Sequence, residues 1–263
     1  FEQYGWVPSI NTPIYLATNI NEVPLQPSEF VIGSIPGTNY PVIINKEVAI
    51  THHTAILGVT GSGKSVFVRN LINQIVNDTT KVIIIDLTGE YKAKINDIQP
   101  IISEENAKKA FEAIELIAVE ERKFANQRDY ALIKAQEEII KNEFYTSIKN
   151  FLEGQPSEAI FELPDISNNS EIIEYTKWFF WVLFKTAKTK NSFGKRVCVV
   201  LEEAHTIVPE LNSMGVSDFA SKATVNSIAQ IALQGRKYNI GFFVIAQRTA
   251  NVSKTVLTQC NSI

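Results

Sequence analysis

The chain has 263 residues, of which 45% are apolar and 20% are charged, and its formal net charge at pH 7 is -3. This length and this apolar content are sufficient for one large α/β domain, or for one domain with a small appendage. The slightly acidic balance excludes a wholly basic nucleic-acid-binding coat, although it leaves room for a local basic channel.

Residues 1–50 predict short strands that are separated by Pro and Gly, with the sequences PIYLAT, EFVIGSI and PVIIN. We interpret this part as a small β-subdomain or the remnant of one. Residues 51–263 have a different pattern and predict a second, larger unit. The chain does not begin with Met and it ends on CNSI, so we expect that one or both ends are missing.

A strand, a glycine-rich loop, a helix and a second strand follow His53. HTAILG predicts a short buried strand, and KVIIID predicts a strand buried on both faces of a parallel sheet. This order favours a right-handed βαβ unit. The helix between them has one apolar face, with residues at helical spacing: Val68, Leu71, Ile72, Ile75 and Val76.

The middle of the chain predicts a helical insertion at about residues 101–190. No Gly or Pro occurs between Pro100 and Gly154, and Ser103 with two glutamates behind it is a typical helix start. The many charges favour a solvated face over a binding patch. The segment EAIFEL predicts a further strand inside this region.

The apolar runs and the cysteines of the sequence indicate the cellular compartment. The longest apolar run, Trp178 to Phe184, is far shorter than the ~20 residues of a membrane span, which favours a helix buried in protein and no membrane partner. Cys198 and Cys260 lack CxxC spacing, so we expect the buried thiols of an intracellular, cytoplasmic protein and not a disulfide.

The segment GVTGSGKS fits the phosphate-loop pattern GxxxxGK[ST], although a plain glycine-rich turn is the alternative. Its glycines let backbone N–H groups approach phosphate oxygens, and the next helix directs its N-terminus at the same anion. Lys64 adds a positive charge near the β- and γ-phosphates, and Ser65 offers a hydroxyl to Mg²⁺. We predict a site for ATP and Mg²⁺ with these nucleotide ligands: Gly58, Thr60, Gly61, Ser62, Gly63, Lys64, Ser65 and Val66.

Two carboxylates follow the buried strand in VVLEEAH, at the end where α/β sheets hold their ligands. One carboxylate can hold Mg²⁺, and the next can orient and polarise the attacking water. We assign Glu202 to the metal and Glu203 to the water. Without a phosphate loop upstream, a solvated Glu-Glu pair at a strand end would be an equal alternative.

Other candidates keep two interpretations. Gln247, after the strand NIGFFVIA, can contact the γ-phosphate or hold the attacking water, or it can simply cap the strand end. Arg236 can serve a neighbouring subunit's nucleotide as an arginine finger, or it can stabilise a helix C-terminus. His205 can couple the nucleotide to the adjacent loop or can be a packed histidine. His52 and His53 lack partners at metal-ligand spacing.

Several segments in this order resemble HerA-type ATPases of the HerA/FtsK superfamily: HTAILGVTGSGKS, VIIIDLTGEY, VVLEEAH, LQGRKYNIGFFVIAQR and VLTQCNS. The resemblance implies an α/β fold, with a RecA-like P-loop ATPase core around a mainly parallel sheet. It also implies that the strands before residue 50 are the remnant of an N-terminal β-barrel. The roles given above for the loop, the glutamates and Gln247 agree with it, and it favours Arg236 as a finger donated in trans. The family often has Arg-His where this chain has His52-His53.

The resemblance further implies a homo-hexamer with nucleotides between subunits and double-stranded DNA in the pore. Family members pair with a nuclease in DNA end resection, or accompany sirtuin-like NAD-cleaving or nuclease effectors in antiviral defence against phage. We therefore expect a DNA motor with an effector partner. The alternatives are an ATP-binding scaffold for an effector and, more weakly, a small-molecule NTPase or kinase. Residues 209–218 are a candidate DNA-facing or interface loop, although they contain no Lys or Arg.

Overall fold

The computed structural model describes residues 23–86, 89, 91–92, 95, 97–162, 169–210 and 219–260. The predicted strand PIYLAT lies outside these residues, as does most of the candidate loop at 209–218.

The described strands form two sheets. An antiparallel hairpin consists of β1 (Glu29–Ser34) and β2 (Pro41–Asn45). A five-stranded sheet has the order β3-β7-β6-β4-β5, and every neighbouring pair in it is parallel. Its strands are β3 (Thr54–Leu57), β4 (Thr80–Asp86), β5 (Glu158–Glu162), β6 (Arg196–Leu201) and β7 (Ile240–Ala246).

The helices are α1 (Lys46–Thr51), α2 (Lys64–Ile75), α3 (Glu104–Glu121), α4 (Tyr130–Glu153), α5 (Asn169–Lys190), α6 (Ala204–Ile207), α7 (Phe219–Gly235) and α8 (Lys254–Leu257). The region expected as a helical insertion thus contains α3, α4 and α5 together with strand β5. Ser103 caps α3 as predicted, because its hydroxyl accepts a hydrogen bond from Asn106 N at 3.3 Å.

Helices cover both faces of the parallel sheet, which explains why its strands are apolar without alternation. On one face, α2 buries Val68, Leu71, Ile72 and Ile75, as the spacing of its apolar residues predicts. Each such side chain stabilises the fold by roughly 1.5–3 kcal/mol relative to an exposed position. On the other face, α3, α4, α5 and α7 pack together in a larger apolar cluster.

Strands β3 and β4 are parallel, as the βαβ pattern predicts, but they are not neighbours. Strands β7 and β6 lie between them. The carboxyl ends of all five strands share one edge of the sheet, because all neighbouring pairs are parallel. The residue after β7 is therefore positioned between the loop after β3 and the glutamates after β6.

The first described part of the chain is a hairpin followed by a short helix. Asn45 caps α1, because its side chain accepts hydrogen bonds from Glu47 N and Val48 N. Helix α1 approaches β7 so closely that a Cβ at Gly241 would lie 1.8 Å from the carbonyl oxygen of Ile50. The predicted remnant of a β-barrel is not confirmed, since the described residues before α1 form a single hairpin.

Most of the apolar run in α5 is buried in protein, as predicted, with Phe179 and Phe180 fully enclosed in the larger cluster, whereas Trp181 is 37% exposed. Within the described ranges, no helix combines the length and the hydropathy that a bilayer crossing requires. Both cysteines are buried free thiols. Burial raises the pKa of the Cys260 thiol to about 11 and raises that of Cys198 further.

Candidate nucleotide-binding and hydrolysis site

The glycine-rich loop between β3 and α2 has the backbone geometry of an anion cradle. Gly61 and Gly63 have φ of 80° and 88°, a left-handed conformation that favours glycine. Gly63 precedes the first residue of α2, and no described side chain caps this helix. The N–H groups of the first helical turn are thus directed at the place where a phosphate would bind.

Two close contacts give the loop its shape. A Cβ at Gly58 would lie 2.7 Å from the Ser62 hydroxyl oxygen, so a larger residue there would force the Ser62 side chain to move. The Lys64 ammonium group donates hydrogen bonds to the carbonyl oxygens of Gly58 at 2.5 Å and Val59 at 3.0 Å. The ammonium group of Lys64 is therefore held against the loop that would surround the phosphates.

Gln247 joins the phosphate loop to one of the two glutamates. The Thr60 hydroxyl donates to Gln247 Oε1 at 3.1 Å, and Gln247 Nε2 donates to Glu203 Oε1 at 2.7 Å. The three side chains come from loops after three different strands, β3, β7 and β6. The structure thus brings together the loop, the amide and the carboxylate that the sequence predicts as parts of one site.

Glu203 has an unusual backbone conformation, with φ of 46° and ψ of 52°. Consecutive residues of an extended strand point to opposite faces, and the left-handed turn at Glu203 ends that alternation. Such a conformation costs a non-glycine residue roughly 1–3 kcal/mol and is often found at functional sites. The second carboxylate oxygen of Glu203 lies 3.2 Å from His205 Nδ1. His205 therefore lies next to the candidate base.

Glu202 differs from its neighbour in being buried, with 4% of its surface exposed. Its backbone N–H donates to the carbonyl oxygen of Ile85 at 3.2 Å, which continues the ladder between β6 and β4. The Glu202 carboxylate and the Ser65 hydroxyl, at the start of α2, are oxygen donors on the same edge of the sheet. Oxygen donors are what Mg²⁺ prefers, so this pair fits the metal expected there.

Arg236 lies at the opposite, amino edge of the sheet, in a short 3-10 turn before β7. Strand β7 has seven residues, which separates Arg236 from the phosphate loop of its own chain by about 20 Å. Its guanidinium contacts His52, with 2.5 Å between Arg236 Nη2 and His52 Nε2. Because arginine can only donate, His52 Nε2 is the acceptor. Arg236 therefore has no route to its own nucleotide.

His53 has a structural role. Its φ is 53°, its side chain is buried, and its Nδ1 accepts a hydrogen bond from Phe242 N at 3.1 Å. It ties the start of β3 to β7. Among the described residues, no group of three or more His, Cys, Asp or Glu side chains could hold a metal ion.

A family model described as "Helicase HerA, central domain" matches residues 30–121. The chain is 26% identical to the DNA double-strand break repair helicase HerA of Sulfurisphaera tokodaii, in an alignment that covers 96% of this chain and 62% of that protein. The resemblance to HerA-type ATPases is confirmed. The protein of the same name from Saccharolobus solfataricus is 24% identical, over 89% of this chain and 58% of its own length.

The chain thus spans about three fifths of the length of these curated HerA relatives. Among solved structures, VirB4 of Thermoanaerobacter pseudethanolicus is 16% identical and covers 89% of this chain and 79% of its own, with a TM-score of 0.49.

Two contacts of the candidate site could not be predicted from the sequence. Thr60 occupies a variable position of the loop pattern, so no motif predicted its hydrogen bond to Gln247. The contact between His205 and Glu203 depends on the left-handed turn at Glu203, for which the sequence carries no glycine or asparagine signal. Both contacts follow from backbone geometry and strand order.

Proposed function

We propose that this chain is the ATP-hydrolysing part of a HerA-type motor that translocates on or unwinds double-stranded DNA. The observation that supports this most is the hydrogen-bonded series Thr60, Gln247 and Glu203. This series supports the proposal because it joins Glu203, the candidate base for water activation, to the glycine-rich loop. If the loop were only a glycine-rich turn and the glutamates only a solvated pair, the hydrogen bonds that join them through Gln247 would have no explanation.

In this proposal, the first turn of α2 and Lys64 bind the phosphates of ATP. Ser65 and Glu202 would hold Mg²⁺, which would supply charge neutralisation on the phosphates. Glu203 orients and polarises the attacking water, and Gln247 fixes the position of Glu203 relative to the γ-phosphate. Hydrolysis then depends on placement and charge stabilisation, and no covalent intermediate is needed.

The proposed assembly is a homo-hexamer with double-stranded DNA in its pore. Support comes from the position of Arg236, which is remote from its own phosphate loop and exposed at the amino edge of the sheet. An arginine so placed can complete a site only on a neighbouring subunit. The two curated HerA relatives carry names that include DNA double-strand break repair. A nuclease or sirtuin-like effector partner belongs to the same proposal through the family resemblance.

The test is the ATPase rate with and without duplex DNA, at increasing salt. We expect a several-fold rise with duplex and a decline of this rise with salt, because phosphate contacts release counterions. Glu203→Gln should retain ATP binding and lower kcat by ~100-fold or more, as loss of a general base does. Glu112→Gln, on the exposed face of α3, is the matched control.

Two outcomes would contradict the motor. A rate that duplex DNA leaves unchanged would remove the nucleic-acid part of the proposal. If an effector bound to Glu203→Gln subunits kept full activity, the ring would be an assembly scaffold. ATP hydrolysis would then serve only to regulate the effector.

A further inference from the structure

His52, at the end of α1, contacts the side chain of Arg236, the candidate arginine finger. The two residues are 184 positions apart in the sequence, and 2.5 Å separates Arg236 Nη2 from His52 Nε2. Within the described ranges, this contact is the one hydrogen bond of the Arg236 side chain, and no carboxylate lies within ion-pair distance of it. The position of the guanidinium in a single subunit therefore depends on His52.

The donors and acceptors around the imidazole fix its tautomer. An arginine side chain can only donate, so His52 Nε2 carries a lone pair and no proton. On the other side of the ring, His52 Nδ1 lies 2.9 Å from the Thr51 hydroxyl oxygen, and this hydroxyl donates to the carbonyl oxygen of Glu47 at 2.8 Å. A hydroxyl has one proton to donate, so His52 Nδ1 is the donor to Thr51. Both sides of the ring thus require the same neutral tautomer.

The backbone around His52 is tied to strand β7. His52 N donates to the carbonyl oxygen of Val48 at 2.9 Å, which ends α1. Helix α1 in turn packs closely against β7 at Gly241. Directly after His52, the Nδ1 atom of His53 accepts a hydrogen bond from Phe242 N at 3.1 Å. The imidazole therefore extends from a rigid support and offers Nε2 as an acceptor in a fixed position.

Arg236 has donors left for a second partner. Its side chain is exposed and starts from the short 3-10 turn before β7. A free arginine side chain carries roughly 2 kcal/mol of rotamer entropy, part of which is lost whenever the guanidinium is held in one place. The planar guanidinium has several N–H donors, and the contact with His52 uses only one of its nitrogens. An arginine that is already held at one corner can donate to a phosphate at a lower entropic cost.

We propose that His52 is the positioning residue of the arginine finger. The inference rests on the proposed function, in which Arg236 completes the ATP site of the next subunit, and His52 acts only through Arg236. A neutral acceptor suits this role, because it holds the guanidinium and leaves its charge uncompensated. A carboxylate in the same place would offset the positive charge that stabilises the transferring phosphoryl group.

Two amide substitutions test the position of the acceptor. His52→Gln places an amide oxygen near the present position of Nε2, whereas the shorter side chain of His52→Asn reaches only as far as Nδ1. We expect His52→Gln to keep most of the wild-type kcat. His52→Asn should lower kcat by ~10- to 100-fold, because a displacement of about 1 Å can cost 10²-fold. Steady-state ATPase rates and equilibrium binding of ATP are measured, and the affinity for ATP should change little in either variant.

The same substitution in different subunits tests whether His52 acts across the subunit contact. Rings mixed from Arg236→Ala and Lys64→Ala subunits should regain activity, because the second kind of subunit supplies a finger to the intact loop of the first. His52→Asn added to the Lys64→Ala subunits should remove most of this activity. His52→Asn added to the Arg236→Ala subunits is the matched control and should leave the recovered rate unchanged, because these subunits have no finger to position.

The outcomes separate this inference from the proposed function. If mixed rings without a change at His52 show no recovery, the site shared between subunits fails together with this inference. If they recover and His52→Asn has no effect in the Lys64→Ala subunits, this inference alone is overturned. A similar loss in both placements would also overturn it, because His52 would then act within its own subunit. Equal kcat values for His52→Asn and His52→Gln would have the same consequence.

Discussion

At the scale of single residues, Gln247 is the side chain whose exchange tests the site most sharply. Gln247→Glu keeps the shape and places a second carboxylate where Nε2 now lies 2.7 Å from Glu203 Oε1. Two carboxylates at this distance cannot both be ionised, so one of them retains a proton at neutral pH. We expect ATP binding to persist and kcat at pH 7 to fall by ~100-fold.

The pH dependence distinguishes this cause from a general loss of structure. The rate of Gln247→Glu should rise as pH increases, because the shared proton is then lost and Glu203 regains its charge. Steady-state ATPase rates between neutral and alkaline pH give the measurement. Gln74→Glu, exposed on α2, is the control and should follow the wild-type profile. A flat, wild-type-like profile for Gln247→Glu would show that Gln247 only caps its strand.

At the scale of secondary-structure elements, the absence of a side chain at Gly241 allows α1 to pack closely against β7. A methyl group at this position would meet the carbonyl oxygen of Ile50 at 1.8 Å, and backbone atoms cannot move aside as a flexible side chain can. We expect Gly241→Ala to lower the free energy of unfolding by about 1–3 kcal/mol or more. Urea unfolding followed by circular dichroism measures the change. Gly33→Ala, whose Cβ would meet no atom within 4 Å, should leave stability nearly unchanged.

The turn between α3 and α4 depends on a buried carboxylate. Glu120 accepts a hydrogen bond from Asp129 N at 3.0 Å and another from the Lys123 ammonium group. The Asp129 N–H first, and Lys123 second, lower the pKa of the Glu120 carboxyl below its ordinary value. A lowered pKa in the folded state stabilises the fold above the ordinary pKa of 4.5, and this contribution is lost as pH falls through the folded value.

Glu120→Gln should therefore lower Tm by a few degrees at pH 7, and the difference from wild type should shrink in acid. Thermal melts at both pH values provide the measurement. Glu121→Gln is the neighbouring control, because only its backbone carbonyl contacts Arg128. A Tm difference that is the same at neutral and acidic pH would mean that the charge of Glu120 does not stabilise the turn.

The elements themselves could be predicted because each depends on local pattern. The apolar spacing of α2, the Ser103 cap and the continuous apolar strands all follow from residues within one element. The strand order could not be predicted, because it results from packing between distant segments. For this reason the sequence identified Gln247 and Glu203 as candidates but not the hydrogen bonds that join Gln247 to Thr60 and Glu203.

At the scale of the whole molecule, the parallel sheet separates two edges that carry different candidate residues. The carboxyl edge holds the glycine-rich loop and the glutamates, and the amino edge holds Arg236. Because the sheet lies between them, the two edges of one subunit cannot meet. A ring in which the amino edge of one subunit faces the carboxyl edge of the next would bring Arg236 to a nucleotide.

Mixing two inactive variants tests this arrangement. Arg236→Ala subunits keep an intact phosphate loop, and Lys64→Ala subunits keep an intact arginine. Each variant alone should show only background ATPase activity, since an arginine finger contributes 10³–10⁵-fold in related phosphoryl transfer, to order of magnitude. In an equal mixture, about a quarter of the interfaces combine the intact loop of one subunit with the intact arginine of the next, so activity should reappear.

The mixture is assembled by denaturing and refolding the two variants together, and its rate is compared with each variant refolded alone. Lys237→Ala, which removes the adjacent exposed cation, is the control and should keep most of the wild-type rate. Recovery requires both contact between subunits and a role for Arg236 across that contact, because neither variant can repair its own site. Near-wild-type activity of Arg236→Ala alone would contradict the finger, and its contact with His52 would then be a structural one.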